Sequence, residues 1–209
     1  MNSNHARVCP SPEWAEHMHH DVLPGLCAGL DLGTRMLEIG PGPGAITEWL
    51  RRRVPHLVAV EVEKDAADAL RERFAGTNVQ VMHGDASALP FDDDSFDSAG
   101  SFTMLHHVPS AALQNRVLAE VLRVLRPGGT LIGSDSLPST QLHEFHEGDV
   151  YNPLEPATLL TRLQTIGFGA VMISVDRGLT FRARKPEPEL EPGPEARSTR
   201  STAGPASSR

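Results

Sequence analysis

The run Leu37-Glu38-Ile39-Gly40-Pro41-Gly42-Pro43-Gly44-Ala45 sets three glycines at alternate positions, after a strand-like segment and before a helix-like one. A turn this tight needs backbone freedom, and the missing side chains let a ligand approach the main chain closely. The same run satisfies Gly-x-Gly-x-x-Ala, so by itself it points to a nucleotide-like cofactor without choosing which one. Glu61, in Val58-Ala59-Val60-Glu61-Val62, follows about 20 residues after the first glycine, where a carboxylate can accept from both hydroxyls of a ribose. Glu63 competes for that role but falls past the end of the second strand. Candidate proton acceptors come from three places: His106 with His107 after a fourth strand, Asp135 after a fifth, and the N-terminal histidines. His17 and His20 would share one helical face, as would His143 and His146 if Leu142–Glu147 were helical. Helical spacing alone is a weak signature of a metal site, so these four are read as surface or pocket-lining groups, with no metal expected.

Alternating segments must position these residues. Arg35–Ile39, Leu57–Val62, Val79–Met82, Ser98–Leu105 and Thr130–Ser134 read as strands, separated by helices at Ala45–Arg53, Lys64–Phe74 and Ser110–Leu125. The last helix carries a stripe of Leu113, Val117, Val121 and Val124 and is expected to stop at Pro127-Gly128-Gly129. A helix at Pro156–Ile166, ended by Gly167, precedes Ala170–Val175 and Leu179–Arg184, close enough in sequence to pair antiparallel. Repeated βα units closed by a hairpin imply an α/β fold, a mostly parallel sheet with helices on both faces. Ser11-Pro12-Glu13 is a helix-start signal, and residues 1–33 are expected to form a helical lid segment over the domain at 34–185. The stretch 136–155 is long for a βα connection and is expected to be functional, although no chemistry attaches to Gly148-Asp149-Val150-Tyr151-Asn152-Pro153.

Composition narrows the class. Of 209 residues, 39% are hydrophobic and 22% charged, enough apolar material for one core. The formal net charge of -8 argues against a broad phosphate-binding surface, so nucleic acid is not an expected partner. The last segment, 186–209, carries five prolines, one leucine and no aromatic residue, and reads as a disordered tail. Asp92–Asp94 reads as a solvated loop. No apolar run approaches a membrane span and no basic-then-apolar leader opens the chain. Two cysteines, Cys9 and Cys27, make no disulfide framework. A cytoplasmic protein is expected. The skew of 17 Arg against two Lys reads as that of a GC-rich bacterial genome.

Taken in order, Glu38-x-Gly-x-Gly-x-Gly, Glu61, Gly84-Asp85-Ala86, Leu89-Pro90-Phe91, Ser101–Val108 and Leu125-Arg126-Pro127-Gly128-Gly129 resemble the class I S-adenosylmethionine-dependent methyltransferases from Leu37 to about Phe181. The resemblance implies a Rossmann-like seven-stranded sheet of order 3-2-1-4-5-7-6. It implies S-adenosyl-L-methionine as cofactor. Glu38 would face the methionine amino end, and Gly40, Gly42 and Gly44 would line the cofactor. Glu61 would hold the ribose, Val62 pack on the adenine and Asp85 accept from its amine, with Ala86 supplying an amide. Ser101 and Phe102 would sit beside the methionine portion. His106 would border the acceptor as a base or orienting group, or else only bond backbone at the start of the next helix. Asp135 is the second catalytic candidate. The expected reaction is in-line methyl transfer to a small-molecule acceptor. The opening also resembles ribosomal RNA adenine dimethyltransferases, but Ser101-Phe102-Thr103-Met104 stands where they carry an Asn-Leu-Pro-Tyr type motif. A protein that binds the cofactor without turning it over is the other alternative. Oligomeric state is not legible.

Overall fold

β-Branched and aliphatic residues in Arg35–Ile39 (β1) alternate between two cores, Met36 towards one face and Leu37 and Ile39 towards the other. The computed structural model describes residues 11–176 and 178–188. Beside β1 lie β2 (His56–Glu61), β3 (Val79–His83), β4 (Phe96–Phe102), β5 (Leu125–Asp135), β6 (Gly169–Val175) and β7 (Leu179–Arg184). The seven strands form one sheet of order β3-β2-β1-β4-β5-β7-β6. β1 to β5 pair in parallel, whereas β7 runs antiparallel to both β5 and β6. The order implied by the family resemblance is the order found.

One face is covered by α5 (Ala111–Val124) and α7 (Pro156–Ile166). Their Val117, Leu118, Val121, Val124, Leu159 and Leu163 are buried against it. Ser110 caps α5 by accepting from the Leu113 amide, and Gly167 ends α7 in a left-handed conformation. On the other face α3 (Ala45–Leu50) packs with the N-terminal helices through Ile46, Trp49, Leu50, Met18, Leu23 and Leu26. Helix α4 (Lys64–Arg73) seals the β2–β3 crossover with Ala67 and Leu70.

Several boundaries depart from the sequence reading. The N-terminal helix begins as expected, with Ser11 accepting from Trp14, but runs as α1 (Pro12–His17), a π-turn (Met18–Val22) and α2 (Leu23–Cys27). β4 starts at Phe96 and ends at Phe102, so that Leu105–His107 form a 3-10 turn instead of extending the strand. Pro127-Gly128-Gly129 does not separate helix from strand. β5 begins directly at Leu125, opposite Phe96, and a bulge takes up the intervening residues before Thr130 pairs with Ser98. Of the expected tail, all but 186–188 lies outside the described residues. No helix among the described residues is long and apolar enough to cross a membrane.

Candidate active site

Parallel pairing delivers the ends of β1, β2, β3 and β4 to one edge of the sheet, where open α/β folds bind their ligands. Gly40, Gly42 and Gly44 all adopt positive φ (64°, 53° and 84°), which fits the glycine requirement of the turn. A Cβ on Gly40 would collide with Met104 Cγ at 2.1 Å, whereas one on Gly42 would meet nothing. The open side of the loop is therefore at its middle glycine. Glu61 Oε2 accepts from the Gly42 amide (3.2 Å) and Oε1 from the Glu63 amide (3.1 Å), so the carboxylate reaches the glycine loop. Glu63 joins it through its main-chain amide.

Glu38 is 1% exposed. Burial pushes its carboxyl up to about 7, with the Glu61 carboxylate pushing the same way and the Thr47 hydroxyl opposing. Its Oε2 and the hydroxyl of Ser101 are buried without a hydrogen-bond partner, at the ends of neighbouring strands. Such atoms are costly unless a ligand engages them. An acidic group held partly neutral and two orphaned polar atoms fit a ligand carrying an ammonium, as an amino-acid cofactor does. Val62, just after β2, is a large apolar side chain left 60% exposed. Asp85 begins the loop after β3, where both its oxygens accept from Ser87, and Ala86 packs partly buried against the core. The Phe102 ring, by contrast, turns into the core beside Ile132 and Met36, leaving its main chain for the site.

A cleft of about 940 Å³ opens beside these strand ends. Its walls come from the N-terminal helices (Trp14, His17, His20), the end of β5 (Asp135), the β6–β7 hairpin and Leu142 of α6 (Thr140–Phe145). Thr103, which follows Phe102, lines this cleft and holds a positive φ of 49°. Its amide donates to Ser134 O (2.8 Å), which fixes the strained turn. His17 bonds Asp21, and His19 points elsewhere, to the Ala45 carbonyl at 2.8 Å. The structure thus brings His17 and His20 to one wall but leaves His143 outside it.

The two catalytic candidates meet. His106 Nδ1 lies 2.6 Å from Asp135 Oδ1, and since a carboxylate only accepts, Nδ1 carries the proton. The Ser136 amide donates to the same oxygen, while Asp135 Oδ2 is buried without a partner. Asp135 lines the cleft and His106, 4% exposed, supports it. Parallel register places Phe102 against Ser134, which sets the turn that carries His106 alongside the end of β5.

Sequence reasoning missed Asp97 and Asn152. Asp97, to which the sequence attached no role, is buried and accepts from Thr34 N (2.6 Å), Thr34 Oγ1 (3.0 Å) and Arg35 N (2.8 Å), and pairs with Arg126. Asp92–Asp94 are exposed, as expected, with Asp93 paired to Arg123 and Asp94 to Lys185. Asn152 gives the 148–153 motif a role: its amide donates to His106 O (2.7 Å) and its side chain to Val108 O (3.0 Å). Buried Gln114 reaches both Asn152 O and Leu105 O at 2.8 Å.

Residues 37–133 match the family profile described as "Methyltransferase domain". An uncharacterized methyltransferase of Mycobacterium bovis is 30% identical over 119 residues, 56% of this chain and 58% of the relative. A demethylmenaquinone methyltransferase of Clavibacter sepedonicus is 36% identical over 101 residues, 48% of this chain and 40% of the relative. Among solved structures, a Haemonchus contortus phosphoethanolamine N-methyltransferase 2 in complex with S-adenosyl-L-methionine superposes with TM-score 0.69 at 16% identity, over 84% of this chain and 56% of that one. The chain spans less than two thirds of the length of these relatives. Sheet order, glycine loop and the match over residues 37–133 are those of a Rossmann-like methyltransferase domain.

Proposed function

We propose that the protein transfers a methyl group from S-adenosylmethionine to a small-molecule acceptor bound in the cleft. The observation that carries this reading is Thr103. It lies two residues after the orphaned Ser101 at the cofactor edge and itself lines the acceptor cleft, so donor and acceptor would meet at the end of β4. Glu38, Gly40, Gly42, Gly44, Glu61, Val62, Asp85, Ala86, Ser101 and the main chain of Phe102 would hold the cofactor. When bound, S-adenosylmethionine supplies a methyl group already activated by its sulfonium charge.

The chain's own residues then have positioning to do, which is worth several orders of magnitude in a displacement of this kind. Asp135 would orient the acceptor and take its proton, with the His106 N–H fixing the carboxylate. The N-terminal helices would exclude water from the cleft. Residues 1–33 would form the lid, 34–185 the catalytic domain and 186–209 a tail. A small acceptor is supported by the cleft's size, which is that of an ordinary ligand pocket. It is also supported by the relative named for demethylmenaquinone, whereas the net charge of -8 opposes an RNA acceptor. A cytoplasmic location fits such an enzyme.

The test is calorimetric titration with S-adenosylmethionine and its demethylated product, followed by an acceptor screen with labelled methyl groups. Glu61→Ala is expected to weaken cofactor binding at least about tenfold, the loss of one charge-assisted bond. Asp135→Asn is expected to keep cofactor binding and lower kcat. Binding of neither ligand would sink the reading; binding without turnover across the screen would favour a protein that binds the cofactor silently.

A further inference from the structure

Three imidazoles converge behind Asp135. His106 and His107 form the 3-10 turn after β4, and His146 follows the end of α6. One ring nitrogen from each lies within 4.8 Å of the other two. Ring centroids are 4.1 Å apart for His106–His107, 5.0 Å for His106–His146 and 5.4 Å for His107–His146. His106 and His146 are 4% and 3% exposed, and His107 is half-buried. Tyr151 stacks on His146 at 4.3 Å and closes the group from the loop side.

The two buried rings are held as metal-bound histidines are held. His106 commits Nδ1 to Asp135 Oδ1, and His146 commits Nδ1 to the Leu142 carbonyl, each at 2.6 Å. An acceptor on Nδ1 fixes the proton there and turns Nε2 into the lone-pair nitrogen. Asp135 adds a carboxyl group beside the rings whose Oδ2 is buried without a hydrogen-bond partner.

We propose that His106, His107 and His146 bind one divalent late first-row transition metal, Zn2+ foremost, with Asp135 as the carboxylate behind His106. Three nitrogen donors exclude Mg2+ and Ca2+, which take oxygen. Tetrahedral Zn–N bonds of about 2.0–2.1 Å put donor nitrogens about 3.4 Å apart, so the rings close on the ion by side-chain rotation. Three protein ligands leave a fourth position open. The ion would fasten α6 and the 146–153 loop to the turn after β4, ordering the wall that carries Leu142, and its charge would be felt at Asp135. That last consequence rests on the methyltransferase reading; binding of the ion does not. The set differs from the quartet that helical spacing groups, because His143 lies outside it and His17 and His20 line the cleft.

The test uses the full chain without a polyhistidine tag, stripped by chelator and titrated with Co2+ and then Zn2+. The expected result is one equivalent of Co2+ with the intense visible bands of a four- or five-coordinate site, displaced by Zn2+. His107→Gln and His146→Gln are expected to lose the bands, and Asp135→Asn to weaken binding about tenfold, as loss of such a supporting acceptor does. His17→Gln with His20→Gln is expected to leave the bands intact. Zn2+ is expected to slow amide exchange in 140–153. The folded state of each variant is checked by cofactor calorimetry, and should His146→Gln not fold, half-buried His107→Gln decides. Only weak octahedral bands, or bands that survive His107→Gln, would overturn the proposal. Metal binding without cofactor binding would overturn the methyltransferase reading and leave this one standing; the reverse outcome would do the opposite.

Discussion

Glu38 pays for its position in the absence of a cation. With the carboxyl at about 7 against 4.5 when free, the folded chain favours the protonated form. A group raised in this way stabilises the fold fully below its unfolded value, and that contribution is lost as pH rises through 7. Glu38→Gln, neutral throughout, is therefore expected to raise the melting temperature of the ligand-free protein more at pH 8 than at pH 5. An ammonium beside the carboxylate reverses the preference, so cofactor binding at pH 6 is expected to release a proton. The calorimetric enthalpy will then vary with the ionisation heat of the buffer, and the variation will vanish in Glu38→Gln. A buffer-independent enthalpy in the parent protein would remove Glu38 from the cofactor site. This residue was legible as a motif position; its titration was not, because that comes from the burial of β1 between two cores.

At the scale of elements, β5 and β7 meet through an unusual fit. Gly133 pairs with Phe181, and a Cβ on Gly133 would lie 2.1 Å from the ring. The ring is 1% exposed and has no room to retreat. Gly133→Ala is expected to destabilise the fold by about 1–3 kcal/mol, read from the urea midpoint with unchanged slope. Elements whose signals are local were readable: β1, the α5 stripe and the Gly167 stop all fall within a residue or two of expectation. The start of β5 was not, since Pro127-Gly128-Gly129 carries turn chemistry that the sheet absorbs as a bulge opposite Phe96–Ser98. The π-turn at Met18–Val22 has no sequence signature either. His106 and Asp135 were each legible as strand-end groups, and parallel register sets the turn that carries one alongside the end of the strand that carries the other. His146 was singled out only with His143; its place beside His106 was not legible, because no periodicity predicts the return of that segment to the β4 turn.

Across the whole molecule, the N-terminal helices are held to the sheet by few polar contacts. Arg182 of β7 donates to the carbonyls of Gly25 (2.7 Å) and Ala28 (3.3 Å), and His19 reaches Ala45 O. Arg182→Ala is expected to speed amide exchange across 12–27 while leaving β1 protected; faster exchange in both would mean that the helices and the sheet open together. What separates the two is Asp97. By gathering Thr34, Arg35 and Arg126 around one buried carboxylate, it makes the threshold of β1 a fixed bearing. Gly29 and Gly33, both at positive φ, lie just before it. A swing of the N-terminal helices would therefore meet a fixed point at residue 33, and would reach the end of the glycine loop through the His19 contact to Ala45 O. On the proposed function, an acceptor entering under these helices would be felt first where the glycine loop hands over to its helix, and the threshold of β1 would stay still.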